Sequence, residues 1–243
     1  MTQNIYDNPA FFAGYSRLPR SIEGLAGAPE WPALRALLPP LSGRKVVDLG
    51  CGYGWFCRWA RPQGAAQVLG LDVSEKMLAR AGAMTSDPGV TYARVDLECL
   101  ELPPASFDVA YSSLVLHYVG NLSGLMTTVH RALVPGAHLV LSAEHPILTA
   151  PTRPGWSIGS DGRKTWPVDQ YLVEGRRCTD WIGSGVIKQH RTIGTYLNLL
   201  IGIGFTISRV EEWRPTPDQI AAQPTLAEEL ERPMFLLIAA SRS

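Results

Sequence analysis

A glycine-rich turn with an acidic residue just before it carries the clearest chemistry in this sequence. Residues 46–54 read Val-Val-Asp-Leu-Gly-Cys-Gly-Tyr-Gly, an apolar run followed by glycines at three alternate positions. Glycines let the backbone approach a ligand closely and leave its N–H groups exposed. Asp48 lies two residues before Gly50, the first of these glycines. The pattern predicts a buried strand that leads into a loop built to hold a nucleoside-bearing ligand.

Two further acids stand at the ends of the next predicted strands. Asp72 closes the apolar run of residues 67–72 and comes 18 residues after Gly54. An acid at about this distance, on the second strand, can reach ribose hydroxyls. Asp96 follows the third predicted strand, residues 90–95. Because open α/β sheets bind ligands at the carboxyl ends of their strands, the two acids are expected to share one site with the glycines.

This order of elements resembles the class I S-adenosylmethionine-dependent methyltransferases of the small-molecule, "methyltransferase domain 11"-like type. The resemblance covers roughly residues 45–145 and continues through a fourth predicted strand, residues 107–113, into residues 114–119. It implies a Rossmann-like α/β fold whose doubly wound seven-stranded sheet is mostly parallel, with an antiparallel last strand. It also implies methyl transfer, with S-adenosyl-L-methionine as cofactor and S-adenosyl-L-homocysteine as product.

Residue roles come with the resemblance. Asp48 is expected to face the cationic methionine moiety, Asp72 to bind the ribose hydroxyls, and Asp96 to accept from the adenine amino group. In the N-terminal segment, Tyr15 and Arg20 are candidates for contacts with the cofactor carboxylate, although a simple packed arm is the alternative. The cofactor-binding residues implied are Asp48, Gly50, Cys51, Gly52, Asp72, Val73, Met77, Asp96, Leu97, Ser112, Ser113, Tyr15 and Arg20.

Three histidines are candidates for a general base. Methyl transfer from a sulfonium is an in-line displacement, so alignment in a dry site is the main requirement. A base helps when the accepting atom carries a proton, and histidine suits neutral pH. His117 follows the fourth strand, His145 follows the fifth, and His190 closes a predicted lid. Each has a structural alternative, in which His117 packs at a helix start, His145 anchors the lid and His190 braces it.

Composition narrows the functional class. The 243 residues fit one α/β domain with an insertion. Lys plus Arg equals Asp plus Glu at 22 each, which weighs against a nucleic-acid partner, since backbone binding needs a basic footprint. The four cysteines show no zinc-ligand spacing, and we expect no metal. We find neither a signal peptide nor an apolar run of the ~20 residues that span a bilayer, so we expect no membrane partner and a cytoplasmic location.

The chain divides into four predicted segments of a single domain. These are an N-terminal helical arm (residues 1–44), a cofactor-binding core (45–145), a lid insertion (146–190) and the C-terminal part of the sheet (191–243). The lid insertion is expected to contain two strands, residues 171–181 and 186–190, and its Trp and Tyr residues either line an acceptor pocket or give the lid a core of its own.

Two local predictions concern the ends of elements. The sequence Val-Pro-Gly at residues 134–136 predicts a helix stop before a fifth strand at residues 139–143. The proline-punctuated segment of residues 214–233 contains Glu228, Glu229 and Glu231 and predicts a solvated face.

The sequence therefore predicts a metal-independent methyltransferase with a small-molecule acceptor, and it leaves the accepting atom and the oligomeric state open. One alternative is an enzyme of the same fold that acts on RNA or protein, which would call for a basic face or an appended module. Another is a non-catalytic S-adenosylmethionine-binding protein, in which the loop glycines or the ribose acid would usually be eroded. A dinucleotide-dependent oxidoreductase is disfavoured by Trp55, because that fingerprint has a small residue there.

Overall fold

The computed structural model describes residues 3–243, which are organised around one central sheet. The strands are β1 (Lys45–Leu49), β2 (Gln67–Asp72), β3 (Val90–Arg94), β4 (Phe107–Ser113), β5 (Leu133–Glu144), β6 (Ser157–Ile158), β7 (Lys164–Thr165), β8 (Gly175–Trp181), β9 (Gly183–His190), β10 (Phe205–Glu212) and β11 (Phe235–Arg242). The α-helices are α1 (Pro9–Tyr15), α2 (Pro19–Ile22), α3 (Trp31–Ala36), α4 (Trp55–Ala60), α5 (Glu75–Ala83), α6 (Leu122–Ala132), α7 (Pro146–Thr149), α8 (Ile193–Ile203) and α9 (Pro217–Ala222). Short 3-10 helices lie at Ile5–Asp7, Gly24–Gly27, Leu97–Cys99, Leu116–Tyr118 and Pro224–Leu230.

The central sheet has seven strands in the order β10-β11-β5-β4-β1-β2-β3. Neighbouring strands from β3 to β5 pair in parallel, whereas β11 runs antiparallel to both β5 and β10. The carboxyl ends of the five parallel strands therefore meet at one edge, where open α/β sheets bind ligands. This arrangement confirms the predicted fold class, including the antiparallel last strand.

Helices cover both faces of the sheet, which explains the nearly continuous apolar runs of its central strands. Along β1, Val47 and Leu49 belong to the hydrophobic layer that includes α6, and Val46 belongs to the opposite layer with Phe56 of α4. Successive side chains of a strand point to opposite faces, so both sides of β1 are buried. The glycine loop (residues 50–54) consequently starts from a strand that packing holds in place.

The fifth strand begins earlier than predicted. The sequence places it at residues 139–143, but β5 extends from Leu133 to Glu144. Phe107 pairs with Leu133 and Val109 pairs with His138, so β5 bulges between these two pairs, with Gly136 at a φ of 77°. The proline and glycine that predict the helix stop therefore also mark a β-bulge, a feature that leaves extra residues unpaired within a continuing strand.

Two hairpins, β6-β7 and β8-β9, form within the predicted lid insertion. The β8-β9 pairing runs from Gly175 opposite His190 to Trp181 opposite Gly183, so the turn is shorter than predicted and contains Ile182 at a φ of 61°. The prediction that residues 214–233 form a solvated face is wrong for Glu229, which is buried against Arg232 at 2.7 Å. No helix within the described residues is long and apolar enough to cross a membrane.

Candidate active site

A cavity of about 650 Å³ opens at the carboxyl edge of the parallel strands. Gly50 and Gly52 line it after β1, Asp72 at the end of β2, Leu97 after β3 and Ser113 at the end of β4. Residues of the N-terminal arm and of the lid insertion complete the wall. The strand ends that the sequence predicts to share a site therefore do lie around one cavity.

Two glycines of the loop serve different purposes in this wall. Gly50 and Gly52 have φ values of 78° and 52°, in the left-handed region that favours glycine. A Cβ atom on Gly50 would overlap with the side chain of Val115, whereas a Cβ atom on Gly52 would meet nothing within 4 Å. Gly50 thus permits close packing, and Gly52 leaves room in the cavity for a ligand to lie against the backbone.

Asp72 accepts hydrogen bonds from both the glycine loop and the residue that precedes α5. Its Oδ2 atom accepts from the Gly52 N–H and its Oδ1 atom from the Ser74 N–H, both at 2.9 Å. Burial raises the pKa of Asp72, and the hydrogen bonds from Ser74 and Gly52 oppose that rise. A carboxylate has about four lone-pair sites, so Asp72 can also accept from two hydroxyl groups in the cavity. This capacity fits the ribose of S-adenosylmethionine.

Asp48 lies deeper than the other acids. It is buried, accepts a hydrogen bond from Cys57 Sγ at 3.3 Å, and burial raises its pKa to about 7. Asp48 and Cys51 line a smaller cavity of about 100 Å³, which shares Tyr15 and Arg20 with the larger one. The structure thus places both residues behind the glycine loop rather than in the main cavity wall.

The remaining predicted cofactor residues are divided between the cavity and the sheet. Asp96 lines the cavity and accepts from the Glu98 N–H at 3.1 Å. Val73 and Met77 line it as well. Ser112 does not, because its buried hydroxyl donates to the Leu49 carbonyl at 3.1 Å inside the sheet. The alternation of side chains along β4 accounts for this correction, since it turns Ser113 to the cavity and Ser112 away.

The N-terminal arm forms part of the cavity wall and contacts the start of α5. The Tyr15 ring contacts the edges of the Tyr6 and Trp181 rings, and the guanidinium of Arg20 donates to Glu30 at 2.9 Å. Asp7 accepts from the Ser74 hydroxyl at 2.6 Å and from the Lys76 N–H at 3.1 Å, at the start of α5. Sequence reasoning missed Asp7 because a helix cap supplied from 67 residues away has no local signature.

His117 lines the cavity and is 2% exposed. Its Nδ1 atom accepts from the Glu144 N–H at 3.3 Å, and its Nε2 atom lies 3.9 Å from Glu144 Oε1. Burial lowers the pKa of His117 to about 4, so the ring is neutral at pH 7 with its proton on Nε2. In this geometry the nitrogen that could take a proton faces the backbone.

The structure does not bring His145 and His190 to the cavity wall. His145 Nδ1 accepts from the Ile147 N–H at 3.1 Å, and its Nε2 atom is 2.9 Å from Glu212. His190 bonds the Thr149 hydroxyl through Nδ1 at 2.9 Å and the Tyr171 carbonyl through Nε2 at 2.8 Å. With both nitrogens of each ring engaged, these contacts match the structural alternatives, in which the two residues fix the ends of the insertion.

An ion pair that sequence reasoning missed lies beneath the insertion. Glu144, the last residue of β5, lines the cavity and accepts from Lys188 Nζ at 2.6 Å. Lys188 is buried, as are Val186 and His190 on the same face of β9. The alternation along β9 is the sequence signal that could have predicted a buried Lys188. Glu144 was not among the predicted site residues, because the adjacent His145 was the candidate base after β5.

Comparisons with known proteins agree with this geometry. Residues 47–141 match a family model described as a methyltransferase domain. A solved S-adenosylmethionine-dependent methyltransferase from Mesorhizobium loti is 63% identical, with 90% of this chain and 100% of that chain covered and a TM-score of 0.88. The chain belongs to the S-adenosylmethionine-dependent methyltransferases. S-adenosylmethionine is therefore its cofactor.

Two further relatives indicate how far the likeness extends. An uncharacterised protein of Haemophilus influenzae is 34% identical to this methyltransferase over an alignment that covers 98% of this chain and 97% of the relative. The malonyl-(acyl-carrier protein) O-methyltransferase of Erwinia billingiae is 39% identical over 101 residues, or 41% of this chain and 39% of its own length. The likeness to this relative of named activity thus covers less than half of either chain.

The chemistry available to the methyltransferase comes from carboxylates, hydroxyls and aromatic rings around one cavity. Within the described part of the chain, no group of three or more His, Cys, Asp or Glu side chains is placed to hold a metal ion. Aromatic residues Tyr6, Trp181 and Phe235 line the same cavity as Asp72 and Glu144. An apolar wall with a few convergent polar groups is typical of a small-molecule site.

Proposed function

We propose that this methyltransferase transfers the methyl group to a small-molecule acceptor that binds between the glycine loop and the lid insertion. One observation carries the proposal. A single cavity of about 650 Å³ is lined both by the strand-end residues Gly52 and Asp72 and by Trp166, Trp181 and Lys188 of the insertion. Sites for small ligands typically measure ~300–1,000 Å³, so a cofactor and a modest acceptor fit this volume.

The cofactor end is assigned to residues whose contacts suit each part of S-adenosylmethionine. Asp72 accepts from the ribose hydroxyls, and Asp96 with the Leu97 backbone binds the adenine. Gly52 leaves room for the amino-acid moiety, and Tyr15 and Arg20 of the arm lie near its carboxylate. Bound there, S-adenosylmethionine supplies an electrophilic methyl group on a sulfonium. The protein's task is then to align an acceptor with that group and to exclude water.

The lid insertion is proposed to determine which methyl acceptor the enzyme binds. Residues 146–190 leave the carboxyl end of β5, so they overhang the place where a transferable methyl group must lie. Their aromatic residues Trp166 and Trp181 face the cavity together with Leu148. The likeness to the Erwinia billingiae enzyme, whose name gives a carrier-bound malonyl group as the acceptor, covers only 41% of this chain, so that acceptor is not carried over.

Charge supports a small molecule over a nucleic acid. The chain has 22 basic and 22 acidic residues, and phosphate backbones bind to surfaces with an excess of Lys and Arg. Transfer by alignment alone calls for no metal, and metal independence is part of the proposal. A cytoplasmic location stays a prediction from the sequence.

The proposal is tested by separating a cell extract into low-mass, RNA and protein fractions. Each fraction is incubated with the enzyme and S-adenosylmethionine, and released S-adenosylhomocysteine is measured. The low-mass fraction is expected to raise the release at least about tenfold over buffer. The Gly52→Ala variant, whose binding of S-adenosylmethionine should be weaker, serves as the control and should give a smaller response at the same cofactor concentration. Release that depends on the RNA or protein fraction alone would replace the small-molecule acceptor with a macromolecule.

A further inference from the structure

Glu144 presents a buried carboxylate oxygen that accepts no hydrogen bond from the described residues. Its Oε1 atom is bound by Lys188 Nζ at 2.6 Å and lies 3.9 Å from His117 Nε2. Its Oε2 atom is buried and has no hydrogen-bond partner among residues 3–243, although the side chain lines the cavity and is 14% exposed. Buried polar atoms in folded proteins are nearly always paired, so this oxygen requires an explanation.

The carboxyl group of Glu144 is held in its ionised form. Burial raises its pKa, and the attraction and hydrogen bond of the Lys188 ammonium at 2.6 Å oppose that rise. An ionised carboxylate only accepts hydrogen bonds. Oε2 is therefore a hydrogen-bond acceptor without a donor, and it lies in the part of the cavity that we assign to the substrate to be methylated.

The cationic side chains that line the same cavity are already engaged. Lys188 pairs with Glu144 itself at 2.6 Å. Arg20 pairs with Glu30 at 2.9 Å, and Arg177 donates to the Ala150 carbonyl at 3.1 Å. Arg232 pairs with Glu229 at 2.7 Å through a terminal guanidinium nitrogen, while its Nε has no partner within the described part of the chain. None of these cations donates to Oε2, which leaves this oxygen available to a donor on a bound molecule.

We propose that Glu144 Oε2 accepts a hydrogen bond from the atom that becomes methylated, and that this atom is a hydroxyl oxygen or an amine nitrogen. The inference rests on the proposed function and names its substrate class. A carboxylate acceptor is disfavoured, because two like charges would meet in a poorly solvated site. Glu144 is thereby a catalytic residue, and His117, which accepts from the Glu144 N–H at 3.3 Å, positions it.

The transfer step balances with Glu144 as the proton acceptor. The lone pair of the acceptor atom forms a bond to the methyl carbon, and the carbon–sulfur bond breaks with its electron pair remaining on sulfur. The proton of the acceptor atom moves to Glu144 Oε2. No oxidant, reductant or metal enters this step.

The test uses three aromatic probes of similar size, p-cresol, benzylamine and benzoate, because the cavity has an aromatic wall. Their binding to the full chain saturated with S-adenosylhomocysteine is measured for the wild type and for Glu144→Gln. The wild type is expected to bind p-cresol and benzylamine at least about tenfold more tightly than benzoate, the scale of one hydrogen bond to a charged group. In Glu144→Gln, benzylamine should weaken at least about tenfold and benzoate should bind more tightly, since the amide can donate.

Two controls separate the possible failures. Glu211→Gln makes the same substitution outside the cavity wall and should leave all three affinities unchanged. If Glu144→Gln does not hold S-adenosylhomocysteine, Glu144→Asp replaces it, and this shorter carboxylate should keep the preference for the two donors with weaker binding.

The proposal is overturned if benzoate binds the wild type as tightly as p-cresol and benzylamine do. It is also overturned if the affinities of the three probes, including a complete lack of binding, are the same for the wild type and Glu144→Gln. Release of S-adenosylhomocysteine with the low-mass extract separates this failure from that of the proposed function. Release at the wild-type rate in Glu144→Gln would remove Glu144 and leave the small-molecule acceptor standing, whereas no release by the wild type with that fraction would remove the proposed function.

Discussion

Substitution of Gly52 by alanine should separate cofactor binding from folding. Gly52 has a φ of 52°, and an added Cβ atom would meet nothing within 4 Å. The apo-protein therefore has room for the methyl group and bears only the backbone strain. In the presence of S-adenosylmethionine, the same methyl group would occupy space that we assign to the cofactor.

The expected magnitudes follow from these two observations. A left-handed backbone costs a non-glycine residue ~1–2 kcal/mol, which for a chain of this size lowers Tm by roughly 2–8 °C. Overfilling a packed contact costs ~1–3 kcal/mol, so affinity for S-adenosylmethionine should fall about 5- to 150-fold. Gly136 in the β5 bulge, with a φ of 77° and likewise nothing within 4 Å, provides a matched control outside the cavity wall.

Calorimetric titration with S-adenosylmethionine and thermal unfolding of the two alanine variants measure these effects. Gly52→Ala and Gly136→Ala should lose similar thermal stability, while only Gly52→Ala should lose affinity. Equal affinity of Gly52→Ala and the wild type would refute the assignment of this part of the cavity to the cofactor. A loss of affinity in Gly136→Ala as large as in Gly52→Ala would show that strain, not occupied space, governs binding.

Three further outcomes are expected. Asp72→Ala should weaken S-adenosylmethionine binding by roughly 1–3 kcal/mol, and calorimetry showing unchanged affinity would remove Asp72 from the site. Turnover should persist in a chelator, and activity that vanishes with EDTA and returns with Mg²⁺ would contradict metal independence. Because burial lowers the His117 pKa from 6.5 to about 4, the unfolded chain binds the additional proton, so the stability contributed above pH 6.5 is lost as pH falls towards 4. Denaturant unfolding at several pH values measures this loss. Between pH 6.5 and 4, the free energy of unfolding of His117→Phe should fall by about 3 kcal/mol less than that of the wild type, and the same pH dependence in both proteins would contradict a neutral buried imidazole.

The sequence predicted those features of the site that depend on residues close together in the chain. The bounds of β2 and β4 match the predicted runs, and Ser74 caps α5 by accepting from the Met77 N–H as its residue type suggests. The three glycines of the loop all have positive φ values, which only a glycine adopts without strain. These features depend on residues within one or two turns of each other, so a sequence pattern suffices to find them.

Long-range contacts account for what the sequence did not predict. The docking of Asp7 on α5 and the pairing of Lys188 with Glu144 join segments that are 67 and 44 residues apart. Ser112 was assigned to the cavity because the resemblance does not specify which of two adjacent serines faces it, whereas the pleat of β4 does. His145 and His190 were candidates because of their position in the chain, but the tertiary fold occupies both of their ring nitrogens.

Removal of the lid insertion tests whether this segment selects the acceptor. The deletion is feasible because Thr149 and His190 hydrogen-bond at 2.9 Å, so the two ends of the insertion lie close together. Residues 151–188 are replaced by a short Gly-Ser turn, and two quantities are measured. These are the affinity for S-adenosylmethionine and the transfer of its radiolabelled methyl group into the low-mass fraction of an extract. The account predicts affinity within a few-fold of the wild type and no label transfer. Lost affinity with label transfer retained at saturating cofactor would contradict it, and the acceptor pocket would then have to be sought in the N-terminal arm around Phe11 and Tyr15.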